Sequence, residues 1–267
     1  MKIAITGKGG VGKTTLASLL ARVYAAEGKS VLAIDANPDA NLSMALGIPP
    51  EEVSKITPIS EMNELIEERT GAKPGSSAPY FKLNPQVDDI PERFSAKIDG
   101  IRLLLMGTVK SAGSGCMCPE SALLRSLMSH LLFRESDVVV MDMDAGMEHI
   151  GRGTARGVDA FIIVVEPGQR SIQTAEAIQK LAQELKVRCY VVGSKVTSDA
   201  DRRFIIDSLP HFEVLGFMSY NTKVREADVK GMSVYDAAPD VVEEVKTIKQ
   251  KLEQKEAERS MQKAKDE

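Results

Sequence analysis

The sequence opens with a short apolar run that leads directly into a glycine-rich segment, GKGGVGKTT, at residues 7–15. The spacing fits the pattern G-x-x-x-x-G-K-[ST], in which glycines let successive backbone N–H groups turn towards phosphate oxygens. Residues 2–6 are predicted to form a strand and residues 14–26 a helix, so the positive end of the helix faces the loop. The pattern therefore predicts a site for the phosphates of a nucleoside triphosphate.

Each part of this loop has an expected role. Lys13 would reach the β- and γ-phosphates, and the hydroxyl of Thr14 would be a ligand of Mg²⁺. The nucleotide-binding residues predicted in the loop are Gly7, Lys8, Gly9, Gly10, Val11, Gly12, Lys13, Thr14 and Thr15.

The same letters also fit the dinucleotide-binding pattern G-x-G-x-x-G at Gly7, Gly9 and Gly12, with Asp35 near the place of a ribose-binding acid. A dinucleotide site does not need consecutive Lys and Thr at the start of its helix, whereas a triphosphate with Mg²⁺ requires both. The triphosphate interpretation is therefore preferred, and a dinucleotide site or a purely structural turn is the alternative.

Strand and helix patterns alternate along the rest of the chain. Apolar runs predict strands at residues 31–34, 101–106, 138–141, 160–165, 188–193 and 214–218, and helical patterns lie at residues 120–133, 171–185 and 240–252. Such alternation predicts right-handed crossovers between parallel strands. The expected fold class is α/β, a single-domain P-loop NTPase with a mostly parallel sheet covered by helices on both faces.

A chain of 267 residues is long enough for one large domain, expected at residues 1–252. Residues from about 57 to 80, a predicted helix followed by a Gly-, Pro- and Ser-rich loop, break the alternation and are interpreted as an insertion in that domain. Residues 253–267 are charged and are expected to form the frayed, solvated end of the last helix.

The overall charge narrows the range of partners. A net charge of −4 without a basic run argues against general binding to nucleic acid or to a membrane surface. Neither an apolar signal segment nor a run of about 18 apolar residues is present, so a cytoplasmic location is expected. Three cysteines do not make a disulfide framework, and thiols in a reducing compartment more often bind metals or carry out redox chemistry.

Two acidic strand ends are expected to complete the nucleotide site. Asp142 ends an apolar strand and would hold Mg²⁺, and Gly146 follows in a segment of small residues suited to a switch near phosphate. Asp35, Asn37 and Asp39 follow the second strand as another candidate switch that would position water or Mg²⁺. The structural alternatives are a helix-capping Asp and an Asn-Pro-Asp turn.

The additional lysine of the loop, Lys8, resembles the deviant Walker A lysine of the dimeric ATPases that include MinD, ParA, nitrogenase iron protein and the Mrp scaffolds. In that group the lysine crosses to the nucleotide of the partner subunit, where a second cation stabilises transition-state charge as an arginine finger does. The resemblance implies a homodimer in which Lys8 and Lys13 both act in ATP hydrolysis.

Cys116 and Cys118 lie at positions i and i+2 in a glycine-flanked segment. Side chains at this spacing point the same way in an extended segment, so both sulfurs can bind one metal ion. A soft metal ion takes about four ligands, and two C-x-C motifs facing across a twofold axis would supply them. The alternative is an incidental thiol pair. Cys189, inside an apolar strand, is expected to be a small core residue.

The combination of this loop with C-x-C resembles the CooC family and its AcsF-type homologues, nickel-inserting ATPases that mature carbon monoxide dehydrogenase or its acetyl-CoA synthase partner. The likeness extends over nearly the whole chain and includes residues 7–15, 35–39, 116, 118, 142–146, 148–149, 151–155 and 166–167. It implies an ATP-controlled dimer that binds Ni²⁺, or Zn²⁺ in vitro, through Cys116 and Cys118. The client would be carbon monoxide dehydrogenase or acetyl-CoA synthase.

Two positions depart from the pattern of that group. Asn37 stands where relatives commonly have an acidic residue, which leaves open whether Asn37 or Asp39 handles the attacking water. Ser194-Lys195 stands where many relatives place an Asn before a basic residue to contact adenine, and Asn221 is the candidate for base recognition here.

Two other functions stay open. One is an iron–sulfur carrier or reductase, although Mrp-type scaffolds usually carry C-x-x-C and nitrogenase iron protein uses two well-separated cysteines per chain. The other is a MinD- or ParA-like positioning ATPase, which the C-terminal helix disfavours because it has no basic amphipathic face.

Overall fold

The computed structural model describes residues 1–37, 40–75, 80–107, 118–133, 138–143 and 157–266. Its strands are β1 (Lys2–Gly7), β2 (Val31–Asp35), β3 (Ala96–Ile98), β4 (Ile101–Leu105), β5 (Val138–Asp142), β6 (Ala160–Val165), β7 (Arg188–Val196) and β8 (Glu213–Ser219). Within this described part they form one eight-stranded sheet in the order β3-β4-β2-β5-β1-β6-β7-β8. Every neighbouring pair is parallel except β3 with β4. The predicted α/β fold with a mostly parallel sheet is confirmed.

Helices cover both faces of the sheet. Those in the described ranges are α1 (Lys13–Ala26), α2 (Leu42–Ala45), α3 (Pro50–Val53), α4 (Asn63–Thr70), α5 (Ile90–Phe94), α6 (Pro119–Phe133), α7 (Gln169–Leu185), α8 (Asp199–Ser208), α9 (Thr222–Lys230), α10 (Val234–Ala237) and α11 (Pro239–Asp266). Successive strand residues point to opposite faces, so Phe161 and Ile163 of β6 join the apolar cluster under α6 and α7, whereas Ile162 and Val164 join the cluster under α1 and α11. The core is therefore two apolar layers separated by the sheet.

One sheet edge differs from the prediction. The three-residue strand β3 pairs antiparallel with β4 through a turn at Asp99 and Gly100, whose φ values are 44° and 80°. A hairpin this short carries no run of alternating apolar residues, so the sequence pattern does not reveal it.

The segment at residues 57–75 also differs in detail. The predicted helix from Thr57 is a 3₁₀ turn at Ile59–Glu61 followed by α4, because Met62 has a non-helical ψ of 74°. Ser60 N donates to the carbonyl of Met106 at 3.0 Å, which attaches this segment to the end of β4. Interpretation of the region as an insertion stays a prediction.

The last helix continues past the predicted domain end without interruption. Beyond residue 252, the carboxylate of Glu256 accepts a hydrogen bond from the hydroxyl of Tyr190 at 2.7 Å, and Arg259 donates to the carbonyl of Asp159 at 3.3 Å. These contacts attach the helix to β7 and to the start of β6, and the fraying expected at its end stays a prediction. The boundary at residue 252 itself stays a prediction.

Cys189 in β7 is half-buried and packs against the edge of the apolar layer under α7. Burial raises the pKa of its thiol to about 12, so the side chain is protonated at neutral pH and packs as a small apolar group. Of the helices that the structure describes, none has both the length and the apolar composition needed to cross a lipid bilayer.

Candidate nucleotide-binding site

The glycine-rich loop joins β1 to α1 at the centre of the sheet, where β5 and β6 flank β1. At Gly7, which has φ 145°, a Cβ atom would lie 2.5 Å from the carbonyl oxygen of Val164. At Gly12, which has φ 101° and caps α1, a Cβ atom would lie 3.0 Å from Ser194 Oγ. The backbone clash at Gly7 and the left-handed φ at both positions explain why glycine stands at each end of the loop.

Lys13 begins α1, and its side chain is almost completely buried. Its Nζ donates to the carbonyl of Lys8 at 3.4 Å, so the ammonium group is folded back over the loop. The positive charge of Lys13 therefore lies against the backbone of the loop that is predicted to bind phosphates.

Asp142, at the carboxyl end of β5, lies beside the first turn of α1. Thr14 Oγ1 donates to Asp142 Oδ2 at 2.6 Å, while Asp142 Oδ1 is buried and accepts no hydrogen bond from the residues that the structure describes. Burial raises the pKa of Asp142 to about 7; the Thr14 bond opposes the rise, and the nearby Asp35 carboxylate adds to it.

This pair fits the predicted Mg²⁺. A hydroxyl and a buried carboxylate oxygen without a partner are hard oxygen ligands of the kind that Mg²⁺ prefers. A bound cation would also satisfy the orphan oxygen and favour its charged form, which burial alone opposes.

Asp35, at the end of β2, is fully buried and organises the chain that follows it. Its carboxylate accepts from the backbone N–H of Asn37 at 3.0 Å and of Leu42 at 2.8 Å, and from Asn37 Nδ2 at 3.4 Å. Asp35 therefore fixes the position of Asn37. The predicted switch residues Asp39 and Gly146 lie outside the described residues.

A cavity of about 810 Å³ opens beside the loop and extends towards β8, α9 and α10. Its volume lies in the range of small-molecule sites. The predicted residues that line it are Gly9, Gly10, Gly12, Lys13, Thr14, Thr15, Asn37 and Asn221. Gly7, Lys8, Val11, Asp35 and Asp142 do not line it; Val11 is buried in the core under the loop.

Asn221 lines the cavity and also caps α9. Its Oδ1 accepts from the backbone N–H of Lys223 at 2.9 Å. The cap occupies the carbonyl oxygen and leaves the amide NH₂ as the group that can meet a nucleotide base. A role in base recognition stays a prediction.

A cluster of opposite charges beside the loop was not predicted. The carboxylate of Glu166, directly after β6, is 2.9 Å from Lys8 Nζ and 3.3 Å from Lys195 Nζ, and Lys195 also donates to the carbonyl of Gly10 at 2.5 Å. Burial opposes ionisation of Glu166, but hydrogen bonds from both lysines outweigh it and hold its pKa below the usual value. The sequence could have indicated both residues by their positions: Glu166 and Lys195 each follow a predicted strand, as Asp142 does, and the carboxyl ends of parallel strands meet at one edge of the sheet.

The predicted metal-binding cysteines are described only in part. Cys118 is buried immediately before α6, with its Sγ 3.1 Å from Ser121 Oγ, and Cys116 lies outside the described residues. Across the described ranges, no three His, Cys, Asp or Glu side chains form a group suited to a metal ion. The C-x-C site stays a prediction.

Comparison with known proteins agrees with this geometry. Residues 2–234 match the family described as the CobQ/CobB/MinD/ParA nucleotide binding domain. The carbon monoxide dehydrogenase accessory protein CooC of Rhodospirillum rubrum is 50% identical over 241 residues, which cover 90% of this chain and 91% of that protein. An uncharacterized ATP-binding protein of Methanocaldococcus jannaschii is 43% identical, with 88% of this chain and 91% of that protein covered.

The solved structure of the MinD cell division protein of Aquifex aeolicus aligns with a TM-score of 0.67. The two chains are 20% identical, and the alignment covers 94% of this chain and 97% of MinD. At this level of identity the likeness shows a common fold.

Proposed function

This chain belongs to the CobQ/CobB/MinD/ParA family of nucleotide-binding domains and is an ATPase, and we propose that it is an ATP-driven nickel metallochaperone. Two copies dimerise around ATP, and the paired Cys116 and Cys118 thiolates of both copies hold one Ni²⁺. The client is carbon monoxide dehydrogenase or acetyl-CoA synthase. The proposed location is the cytoplasm, where thiols stay reduced.

One observation carries the client assignment: the 50% identity, over nine-tenths of both chains, with a carbon monoxide dehydrogenase accessory protein. The nucleotide site supports the driving reaction, since the loop, Lys13, Thr14 and Asp142 converge at one edge of the sheet.

Each residue of the site has its own role in the proposed ATP hydrolysis. Thr14 and Asp142 hold Mg²⁺, which when bound neutralises charge on the phosphate oxygens. Lys13 binds the terminal phosphates, and Asp35 holds Asn37 at the cavity wall. The amide of Asn37 can orient the attacking water by hydrogen bonding but cannot accept its proton, so we expect slow turnover.

Nickel is the cargo in this proposal. Two thiolates per subunit give four per dimer, a set that suits a soft d-block ion, and Zn²⁺ would occupy the same site in vitro. Because protons compete with the metal for sulfur, affinity falls as pH falls. Dimerisation driven by ATP would therefore assemble the metal site, and separation of the subunits would open it to the client.

Anaerobic titration of the purified full chain with Ni²⁺, with and without ATP and Mg²⁺, followed by native mass measurement, tests the proposal. We expect about one Ni²⁺ per dimer, lost in Cys116→Ser and in Cys118→Ser while ATP binding is retained. Cys189→Ser is the matched control, because it removes a thiol from β7 and should leave the stoichiometry unchanged.

A full nickel site in the Cys116→Ser/Cys118→Ser double variant would overturn the assignment of these ligands. Strong visible absorption of the anaerobically purified chain, with iron and sulfide in the protein, would favour an iron–sulfur carrier instead.

A further inference from the structure

Lys8 and Lys195 share one carboxylate beside the phosphate loop. Lys8 Nζ is 2.9 Å from Glu166 Oε1, and Lys195 Nζ is 3.3 Å from Glu166 Oε2, so each carboxylate oxygen has its own ammonium partner. The carboxylate is one-quarter exposed, and the lysine side chains are 35% and 45% exposed. Lys8 therefore lies against its own subunit in this structure.

Contacts that involve the backbone hold both Glu166 and Lys195 in place. Glu166 follows β6 directly, and its backbone N–H donates to Ser171 Oγ at 3.1 Å. Lys195 has a left-handed φ of 56° at an irregularity of β7, and its ammonium also donates to the Gly10 carbonyl. Lys195 is thus tied to the loop independently of Lys8.

A lysine held by Glu166 cannot at the same time extend to a nucleotide in a second subunit. We propose that Glu166 is a positioning residue that retains Lys8 within its own subunit until nucleotide-dependent dimerisation draws it across, an inference that rests on the proposed dimer. Lys195 keeps the carboxylate compensated after Lys8 leaves, because a partly buried charge without a partner is costly.

Opposite effects follow for the two partners. Glu166→Gln keeps the shape of the side chain and removes its charge, so Lys8 is released. The nucleotide-bound dimer should then form at an about fivefold lower protein concentration. This scale corresponds to one partly exposed Lys8–Glu166 ion pair in each of the two subunits. Lys195→Met removes one of the two lysines that pair with Glu166, so that, of the residues that the structure describes, Lys8 is left as its ion-pair partner. Glu166 then holds Lys8 more tightly, and dimerisation should weaken about threefold. Damage to the fold would weaken the dimer in both variants.

Dimerisation is measured by sedimentation of the full chain with Mg²⁺ and a non-hydrolysable ATP analogue at a concentration that saturates each variant. A Lys8→Met variant lacks the side chain that crosses to the partner, so we expect it to stay monomeric, and Glu166→Gln should not restore its dimerisation. Glu52→Gln is the matched control; it removes an exposed carboxylate that pairs with Lys55 at 2.6 Å in and beside α3, away from the loop. Unchanged or weaker dimerisation of Glu166→Gln overturns the inference.

A second measurement does not depend on the dimer. In the nucleotide-free chain, the rate at which an amine-acylating reagent labels Lys8, followed by peptide mass spectrometry, should rise about threefold in Glu166→Gln and fall in Lys195→Met. A labelling rate that does not change in Glu166→Gln refutes retention of Lys8, whatever the oligomeric state. Labelling that changes as expected while the parent chain stays monomeric with nucleotide leaves retention standing and refutes the proposed dimer.

Discussion

Replacement of Asp142 by Asn should stabilise the nucleotide-free protein while removing its affinity for Mg²⁺ and ATP. The carboxyl group is fully buried and has a pKa of about 7 in the folded chain, against an ordinary value of 3.8. The folded state therefore binds the proton more tightly than the unfolded state does. Stability is highest where both states are protonated and is lost as the pH rises towards 7.

The size of the effect follows from the difference between these two pKa values. Each pKa unit corresponds to about 1.4 kcal/mol, so the charged form of Asp142 lowers the free energy of unfolding above pH 7 by about 4 kcal/mol. The amide introduced by Asp142→Asn has no proton to lose and can still accept the hydrogen bond of Thr14. The stability advantage of this variant over the parent should grow by about 1 kcal/mol between pH 6 and pH 8.

The assay is chemical denaturation of both proteins at pH 6 and pH 8 with a metal chelator present. Asp207→Asn, the same change at an exposed position of α8, controls for loss of one negative charge. Addition of Mg²⁺ and ATP should reverse the order of stability, because ligand binding stabilises only the protein that binds. Equal pH dependence in Asp142→Asn and the parent would refute the argument that burial of this carboxylate destabilises the folded chain.

Three further predictions concern the loop and the segment after β2. Lys13→Ala should abolish binding of a fluorescent ATP analogue, whereas Lys8→Ala should bind it but neither hydrolyse ATP nor dimerise; parent-rate hydrolysis by a monomeric Lys8→Ala would contradict the cross-subunit role. Asn37→Asp should speed single-turnover hydrolysis at saturating ATP and Mg²⁺, and an unchanged rate would make Asn37 a turn residue only. Gly7→Ala should lower the free energy of unfolding by about 1–3 kcal/mol in thermal or chemical denaturation, because its Cβ would lie 2.5 Å from the carbonyl oxygen of Val164; an unchanged midpoint would show that β6 yields without cost.

The sequence was sufficient for the features that local patterns determine. Buried parallel strands are apolar throughout, which made β6 predictable at its observed bounds, residues 160–165. The phosphate loop was predictable because its residues have a fixed spacing. Asp142 was predictable because it ends the apolar run of β5. Short elements such as β3 and α10 contain too few residues to show a period.

Contacts between residues far apart in the sequence could not be predicted from local patterns. Lys8 and Glu166 are separated by 158 positions, and they meet only because β6 pairs with β1. Lys195 reaches the loop because an irregularity of β7 turns its backbone into the left-handed region. Neither fact follows from composition or periodicity, and Glu166 was not identified from the sequence as a candidate site residue.

The sheet order explains why two groups of the site are engaged by acids of the same chain. β5 and β6 flank β1, so one acid stands on each side of the phosphate loop: Asp142 accepts from Thr14, and Glu166 holds Lys8. Each of these contacts uses a group that the proposed reaction needs elsewhere, the hydroxyl for Mg²⁺ and the lysine for the partner's nucleotide. In the proposed dimer, Mg²⁺ with ATP would replace the Thr14 contact, and the partner's nucleotide would replace the Lys8 contact. The free energies of these two replacements would then couple occupancy of the loop to release of Lys8 in the proposed dimer.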